Sequence, residues 1–405
     1  MKGSRPSIAF WFRYGAAEHA ELFHALPDII RLLARDAEVH YFGPRTRKAV
    51  PAVIQDKAIL HLLPYSVDRR SDRDRVIKTI LWYMLLPWLG LRCRMLRVQA
   101  VYIDETLPLT PLLARIFFGP QVAVTVADFF LEAYWGQHPL LSPITRLIGN
   151  VDLATWRRLP LLFTRAQSAR DYLAARGCSA ERIVPVYDTC DLSLYRPMDR
   201  GGCRREFQHA DEDIVLVYHG ILHPNKGLDL VINALPGVLA VHPRLRLLLI
   251  GDGPEMEALQ KLTRDLGLES NVRFTGYMEP ARVAVALNAS DIGLVSRLGT
   301  TGDRMVVTSV LGHCMACGLP VLAANMPGIA EVVREDGNGF LYEPRDARDF
   351  QEKLCRLAAD PALRMRLGQQ GIQDARRVFV EQASAERTAQ PLLQLARKAL
   401  PARAV

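Results

Sequence analysis

Several features are scarce or missing in this chain, and each absence removes a class of function. No GxxxxGK[ST] run occurs, which excludes a P-loop nucleotide hydrolase. The glycine-bearing turns RYGAAEHA (13–20) and GDGPEM (251–256) both lack the full three-glycine dinucleotide fingerprint, which disfavours a nicotinamide enzyme. The seven cysteines are odd in number and mostly far apart in sequence. The one close pair, Cys314 and Cys317, has no second pair to complete a four-ligand zinc site. His313 and Cys314 are adjacent, so on a helix they point about 100° apart and share one ion poorly. Cys317 also ends its helix, whereas a redox cysteine pair begins one. No secretory signal opens the chain, and free thiols suit a reducing, cytosolic compartment. The uncharged run TILWYMLLPWLGL (79–91) is shorter than the roughly 20 residues a spanning helix needs, and Pro87 interrupts it.

Carboxylates are absent from Val76 to Ile103, while Lys78, Arg92, Arg94 and Arg97 lie within that stretch. Trp82 and Trp88 stand among its aliphatic residues. Cations rimming an aromatic and aliphatic patch suit the headgroup layer of an anionic membrane. The membrane contacts expected are therefore Trp82, Trp88, Arg92, Arg94 and Arg97. The competing expectation is a buried hairpin of two core helices. Tryptophan is absent beyond residue 156, so the two halves differ in composition and suggest two domains with different tasks.

What is present is a globular composition with 49% hydrophobic and 23% charged residues, and a net charge of +8. That positive balance attracts nucleic acid, anionic lipid or phosphorylated ligands. The basic cluster sits beside an apolar patch with no recognition module, so no nucleic-acid partner is expected. Apolar strands alternate with helical spacing throughout: SIAFWF, AEVHYFG, QAVYID and QVAVTVAD, then DIVLVYHG, LRLLLIGDG, NVRFTGY, DIGLVSR and LPVLAA. ELFHALPDIIRLLARD reads as one helix between the first two strands. The pattern predicts two doubly wound, Rossmann-like parallel sheets. Pro197 and the Gly201–Gly202 pair mark the linker, giving domains over 1–197 and 198–380. In such sheets ligands meet the carboxyl ends of the strands, so the loops after Gly220, Gly251, Gly276 and Arg297 should line one site.

Four segments there could hold a ligand. HGILHPNKG (219–227) sets Asn225 and Lys226 at a helix start, where backbone N–H groups and an ammonium attract an anion. GDGP supplies Gly251 and Gly253, which let a ligand approach the backbone. RLGTTGDR (297–304) offers Thr300, Thr301 and Asp303 before a helix N-terminus, suited to a diphosphate. MPGIAEVV (326–333) brings Glu331 within reach of sugar hydroxyls.

In order and at normal spacing, HGILHPNKG, LLLIGDGPEMEALQKL, NVRFTGYMEP, ASDIGLVSR, CMACGLPVLAANMPGIAEVV and NGFLYEPRD resemble the nucleotide-binding domain of family 4 glycosyltransferases, which have the GT-B fold. The likeness covers about 213–380. More loosely, GAAEHA (15–20) resembles an acceptor-side loop, and the helix from about 381 resembles one that crosses back to the first domain. The resemblance implies two Rossmann-like domains facing a central cleft, with the acceptor held by the first and a nucleotide diphospho-sugar by the second. It implies transfer with retention and no metal or other cofactor. Lys226 matches a phosphate-binding lysine; Gly220, Gly251, Gly253 and Gly276, with Tyr277, match the donor-side loops; Glu331 matches the acidic residue after the proline–glycine turn. Gly15 and Asp128 fall on the acceptor side.

The departures are specific. Ile221 stands where the family usually has arginine, Met305 and His313 where it has two glutamates, and Ala127 where many members have histidine. An imidazole still bonds a ribose hydroxyl, so His313 is expected on the ribose, with Asp303 supplying a carboxylate near the sugar. Asp303, Glu331, Lys226 and Asp128 are the expected catalytic set. The expected protein is a metal-independent glycosyltransferase using a UDP- or GDP-sugar and a lipid-linked or membrane-proximal glycan acceptor. It would sit on the cytoplasmic face of the inner or plasma membrane, in glycolipid or polysaccharide synthesis. The alternative is a non-catalytic subunit that binds a nucleotide sugar or supports a partner enzyme.

Overall fold

A computed structural model describes residues 5–46, 48–66, 72–104, 107–127, 142–299 and 304–400. The chain divides into two compact units. One comprises Met1–Asp188 with Glu381–Val405, the other Thr189–Val380. The division falls before the predicted linker because residues 189–197 are bound to the second unit. The Cys190 N–H donates to the Phe379 carbonyl at 3.1 Å, and the Tyr195 ring stacks on His313.

The first unit is built on β1 (Ser7–Trp11), β2 (Glu38–Arg45), β3 (Ile59–Ser66), β4 (Ala100–Ile103), β5 (Val122–Val126), β6 (Leu161–Thr164) and β7 (Ile183–Pro185). They pair in the order β3-β2-β1-β4-β5-β6-β7, and each pairing is parallel. β1, β4, β5 and β6 are buried at every position, as expected of strands covered on both faces. The final helix, Glu381–Lys398, belongs to this unit; its Ala385, Ala389 and Leu392 join a core with Ile8, Ile29 and Ile30.

Two helical readings change. ELFHALPDIIRLLARD is split into Ala16–Leu22 and Leu26–Leu33. Pro27 opens the second helix, where its missing N–H costs nothing, and it could not have continued the first. The stretch around Pro87 is one 24-residue helix, Asp72–Met95, and not a hairpin. Trp82 is buried at 2% exposure, so as a membrane contact it is corrected: it points to the core beside Leu86 and Leu89.

The second unit contains β8 (Ile214–His219), β9 (Leu245–Ile250), β10 (Val272–Phe274), β11 (Ile292–Val295), β12 (Val321–Ala324) and β13 (Gly339–Tyr342). They pair in the order β10-β9-β8-β11-β12-β13, again all parallel. The helix Ser309–Ala316 packs on β11 through small residues. A Cβ on Gly293 would lie 2.8 Å from the Cys314 Sγ, so the glycine and the thiol together set the close approach. Burial pushes the Cys317 thiol up to about 12 and Cys314 higher still, which leaves both as inert packing groups at neutral pH.

Candidate functional site

In both sheets the connections reverse direction between the first and fourth strands of the unit, and such a switch point leaves a crevice at the strand exits. In the second unit it lies between β8 and β11. A pocket of about 250 Å³ occupies it, lined among others by His219, Gly220, Lys226, Ser296, Arg297 and Thr308. Three neighbouring exits are opened by glycine. Gly220 and Gly251 have φ of 138° and 135°, and a Cβ on Gly251 would meet the Gly220 carbonyl oxygen at 1.9 Å. The Gly251 N–H donates to the Gly276 carbonyl at 2.9 Å, so the exits of β8, β9 and β10 form one continuous ledge.

The Lys226 loop is fixed to the exit of β11. The Ser296 hydroxyl donates to the Lys226 carbonyl at 2.6 Å, and the Leu298 N–H donates to the Asn225 carbonyl at 2.9 Å. The Tyr342 hydroxyl in turn donates to Ser296 at 2.8 Å. Gly227 follows with φ of 62°, and a Cβ there would strike Leu298 at 2.4 Å. Backbone carbonyls of the loop, those of Asn225 and Lys226, therefore hold it against β11. Among the described residues, Lys226 and Arg297 are the cations of the pocket wall. Thr308 caps the helix Ser309–Ala316, its Oγ1 accepting from the Val310 N–H at 3.3 Å, and both residues line the same pocket. Two cations and a helix N-terminus make this a place for phosphate groups.

Behind the pocket, three rings stack. His313 lies 3.9 Å from the Tyr195 ring and 5.2 Å from the His219 ring, nearly parallel to both. Both nitrogens of the His313 imidazole are buried. His313 does not line the pocket wall, whereas His219 does. Burial pulls the His219 pKa down to about 4, partly offset by a hydrogen bond with the Val310 backbone, so the ring is neutral at pH 7. From sequence, Arg297 marks only the strand exit before a site-lining loop, and His219 is not a candidate. The position of each at a strand exit was the available signal.

Of the residues expected on the donor, Gly220 and Lys226 line the pocket. Gly251, Gly253 and Gly276 form or adjoin the glycine ledge, and a Cβ on Gly253 would meet the Leu222 carbonyl oxygen at 2.3 Å. Asn225 serves the loop through its backbone. Tyr277 is 63% exposed beyond Gly276. Glu331 follows the short helix Pro327–Ala330, whose Gly328 N–H donates to the Arg304 carbonyl, and it lies outside this pocket wall. Asp128, Thr300, Thr301 and Asp303 fall outside the described residues.

Among the described residues, a buried polar cluster lies at the switch point of the first unit. His19, 1% exposed, is hydrogen-bonded through Nε2 to Asp104 Oδ2 at 2.8 Å and through Nδ1 to the Tyr41 hydroxyl at 3.0 Å. Tyr102 donates to Asp104 Oδ1 at 2.7 Å, and Arg165 bridges Asp104 and Asp188 at 3.2 Å each. Phe12 stacks on His19 at 3.6 Å. Burial works to raise the Asp104 pKa, but the Arg165 guanidinium and the His19 hydrogen bond hold it below the ordinary value. Gly15 caps the adjoining helix, where a Cβ would lie 2.5 Å from the Glu18 carboxylate.

Two all-parallel Rossmann-like units of this strand order define a GT-B chain, and known structures agree. HepE from Anabaena, solved in complex with UDP, superposes with a TM-score of 0.72 over 96% of this chain and 100% of its own, at 20% identity. Sucrose-phosphate synthase from Thermosynechococcus elongatus gives 0.73 over 97% and 100%, at 19% identity. Residues 200–374, within the second unit, match the model of the family Glycosyl transferases group 1. D-inositol 3-phosphate glycosyltransferase of Nocardia farcinica is 27% identical over 242 residues, 58% of this chain and 52% of its own length. The chain thus spans about half the length of the curated relatives it matches.

Proposed function

We propose that the protein is a glycosyltransferase whose second unit takes a nucleotide diphospho-sugar. The carrying observation is the pocket at the β8–β11 switch point, where Lys226, Arg297 and a helix N-terminus line one wall. Charge that builds on a departing diphosphate is stabilised by such fixed cations and N–H groups, which need no reorganisation during reaction. The glycine ledge lets the ligand backbone lie close to the strand exits. UDP is the favoured nucleotide, in line with the UDP named for the HepE structure. The acceptor is a lipid-linked or membrane-proximal glycan, transfer proceeds with retention, and no metal or other cofactor takes part. Glu331 and Asp303 supply carboxylates near the donor sugar, and Asp128 one near the acceptor; His313, whose ring nitrogens are buried off the pocket wall, supports the site from behind and does not touch the ribose.

The test is calorimetric titration of UDP and of UDP-, GDP- and ADP-sugars into wild type and Lys226→Ala, alongside a turnover assay. Loss of one charge-assisted phosphate contact of about 1.5–3 kcal/mol weakens binding roughly 10- to 100-fold, with melting temperature unchanged. Equal affinity of the variant, or no binding of any of these ligands by wild type, would overturn the reading. Tight binding without turnover in wild type would instead support the non-catalytic alternative, which the His313 ring between Tyr195 and His219, at a position where the family has glutamate, favours.

A further inference from the structure

The helix Asp72–Met95 has two apolar faces, and the protein covers only one of them. At about 100° per residue, Trp82, Leu86, Leu89 and Cys93 fall within an arc of about 60°. All four are buried. On the opposite side Val76, Ile80, Met84, Trp88, Leu91 and Met95 fall within an arc of about 120°. Their exposures run from 46% at Trp88 to 71% at Met84, and Ile77 lies in the same arc at 48%. The stripe is about 28 Å long. Exposed Leu62 and Ile59 on the edge strand β3 widen the apolar surface. Exposed single apolar residues are ordinary, but a contiguous stripe of this kind marks a surface that something else covers.

Charge identifies the occupant. Arg94 stands at one edge of the stripe and Arg92 about 40° beyond the other. Lys78 and Arg97 add to them, and no carboxylate occurs from Val76 to Ile103. Where β3 meets the helix, an open pocket of about 410 Å³ is lined by His61, Leu62, Trp88, Leu91, Arg92 and Met95, joining a cation to an aromatic and aliphatic wall. Such a combination fits the boundary between anionic headgroups and acyl chains.

By length and composition the stretch Val76–Met95 could cross a membrane, with only 28% of its apolar window buried in the protein. Its tethers exclude crossing while the first unit is folded. Trp11 Nε1–H donates to Cys93 Sγ at 3.3 Å, Tyr83 to the Pro108 carbonyl at 2.6 Å, and Arg94 Nε to the Phe118 carbonyl at 3.0 Å. A Cβ on Gly90 would lie 2.6 Å from the Phe117 backbone, so the helix sits against its neighbour along its last turns. We propose that the stripe lies in the plane of an anionic bilayer interface and docks the first unit peripherally, with Trp88, Met84 and Leu91 entering the lipid and Arg92 and Arg94 engaging headgroups. Trp82 takes no part.

This docking is independent of the ligand in the second unit. The test is flotation of the full chain with vesicles of phosphatidylcholine alone and of phosphatidylcholine mixed with phosphatidylglycerol, at low and high salt. Wild type should float with the mixed vesicles, and less at high salt. The double variant Met84→Glu, Trp88→Glu should lose binding about tenfold or more, and Arg92→Gln about fivefold. Melting temperature and UDP affinity should be unchanged in both. Absence of flotation by folded wild type would overturn the proposal. So would equal binding to both vesicle types, or concentration-dependent self-association that the same variants abolish.

Discussion

The two sheets place the same topological crevice at their carboxyl ends and line it with different side chains. Among the described residues of the first unit these are bulky and charged: Phe12, His19, Asp104 and Arg165 interlock with little exposure. In the second, Gly220, Gly251 and Gly276 clear the exits, and the side chains that remain leave a pocket of about 250 Å³. The crevice follows from strand order, but whether it is a core or a binding site depends on which residues stand at the exits.

The sharpest way to break that comparison is to remove the centre of the buried polar cluster. Asp104→Ala should cost about 3–5 kcal/mol in urea unfolding, because His19 and Arg165 would be left buried without their partner. Since the folded Asp104 pKa is depressed, its contribution is complete above the unfolded value of about 3.9 and is lost as pH falls through the lower folded value. UDP affinity of the second unit should survive the change under conditions where the variant is folded.

The open crevice has a pH signature of its own. The unfolded His219 ring protonates near 6.5, while the folded one resists to about 4. Across that window the unfolded chain binds more protons, so stability is complete above 6.5 and falls as pH drops toward 4, by at most about 3 kcal/mol. His219→Phe should flatten this part of the stability–pH curve relative to wild type while keeping the ring stack. A variant curve parallel to that of wild type would mean that the imidazole is not held neutral.

Gly251→Ala tests the ledge. Its methyl would sit 1.9 Å from the Gly220 carbonyl oxygen at a φ of 135°, so the exits must part. Destabilisation of about 1–3 kcal/mol with weakened UDP binding is expected by thermal melting and titration. The smallest effect belongs to Ile221. Its side chain is 65% exposed at the pocket wall, and only its carbonyl is engaged, by the Tyr218 hydroxyl. Ile221→Ala should change stability by no more than about 0.5 kcal/mol.

The sheets were legible because a strand covered on both faces must be apolar and its crossover helix must alternate with it. β8, β9 and β12 stand close to their sequence limits for that reason. The place of Lys226 on the pocket wall was legible because it stands between a strand exit and a helix start. Arg297 and His219 were not, since each looks like an ordinary strand-end residue until β8 and β11 are known to be adjacent. Trp82 and Trp88 show the same limit. Both lie in one apolar run, and Pro87 suggested a break between them, yet the helix continues and sends one tryptophan to the core and the other outward.

Local periodicity and glycine placement thus determined, from the sequence alone, that this chain forms alternating strands and helices with glycine-cleared exits in its second half. Only the tertiary structure decided which side chains cluster at each crevice, which cations share a pocket, and which face of the Asp72–Met95 helix is covered. Those outcomes depend on contacts between residues tens of positions apart, and neither spacing nor composition encodes which side chains meet.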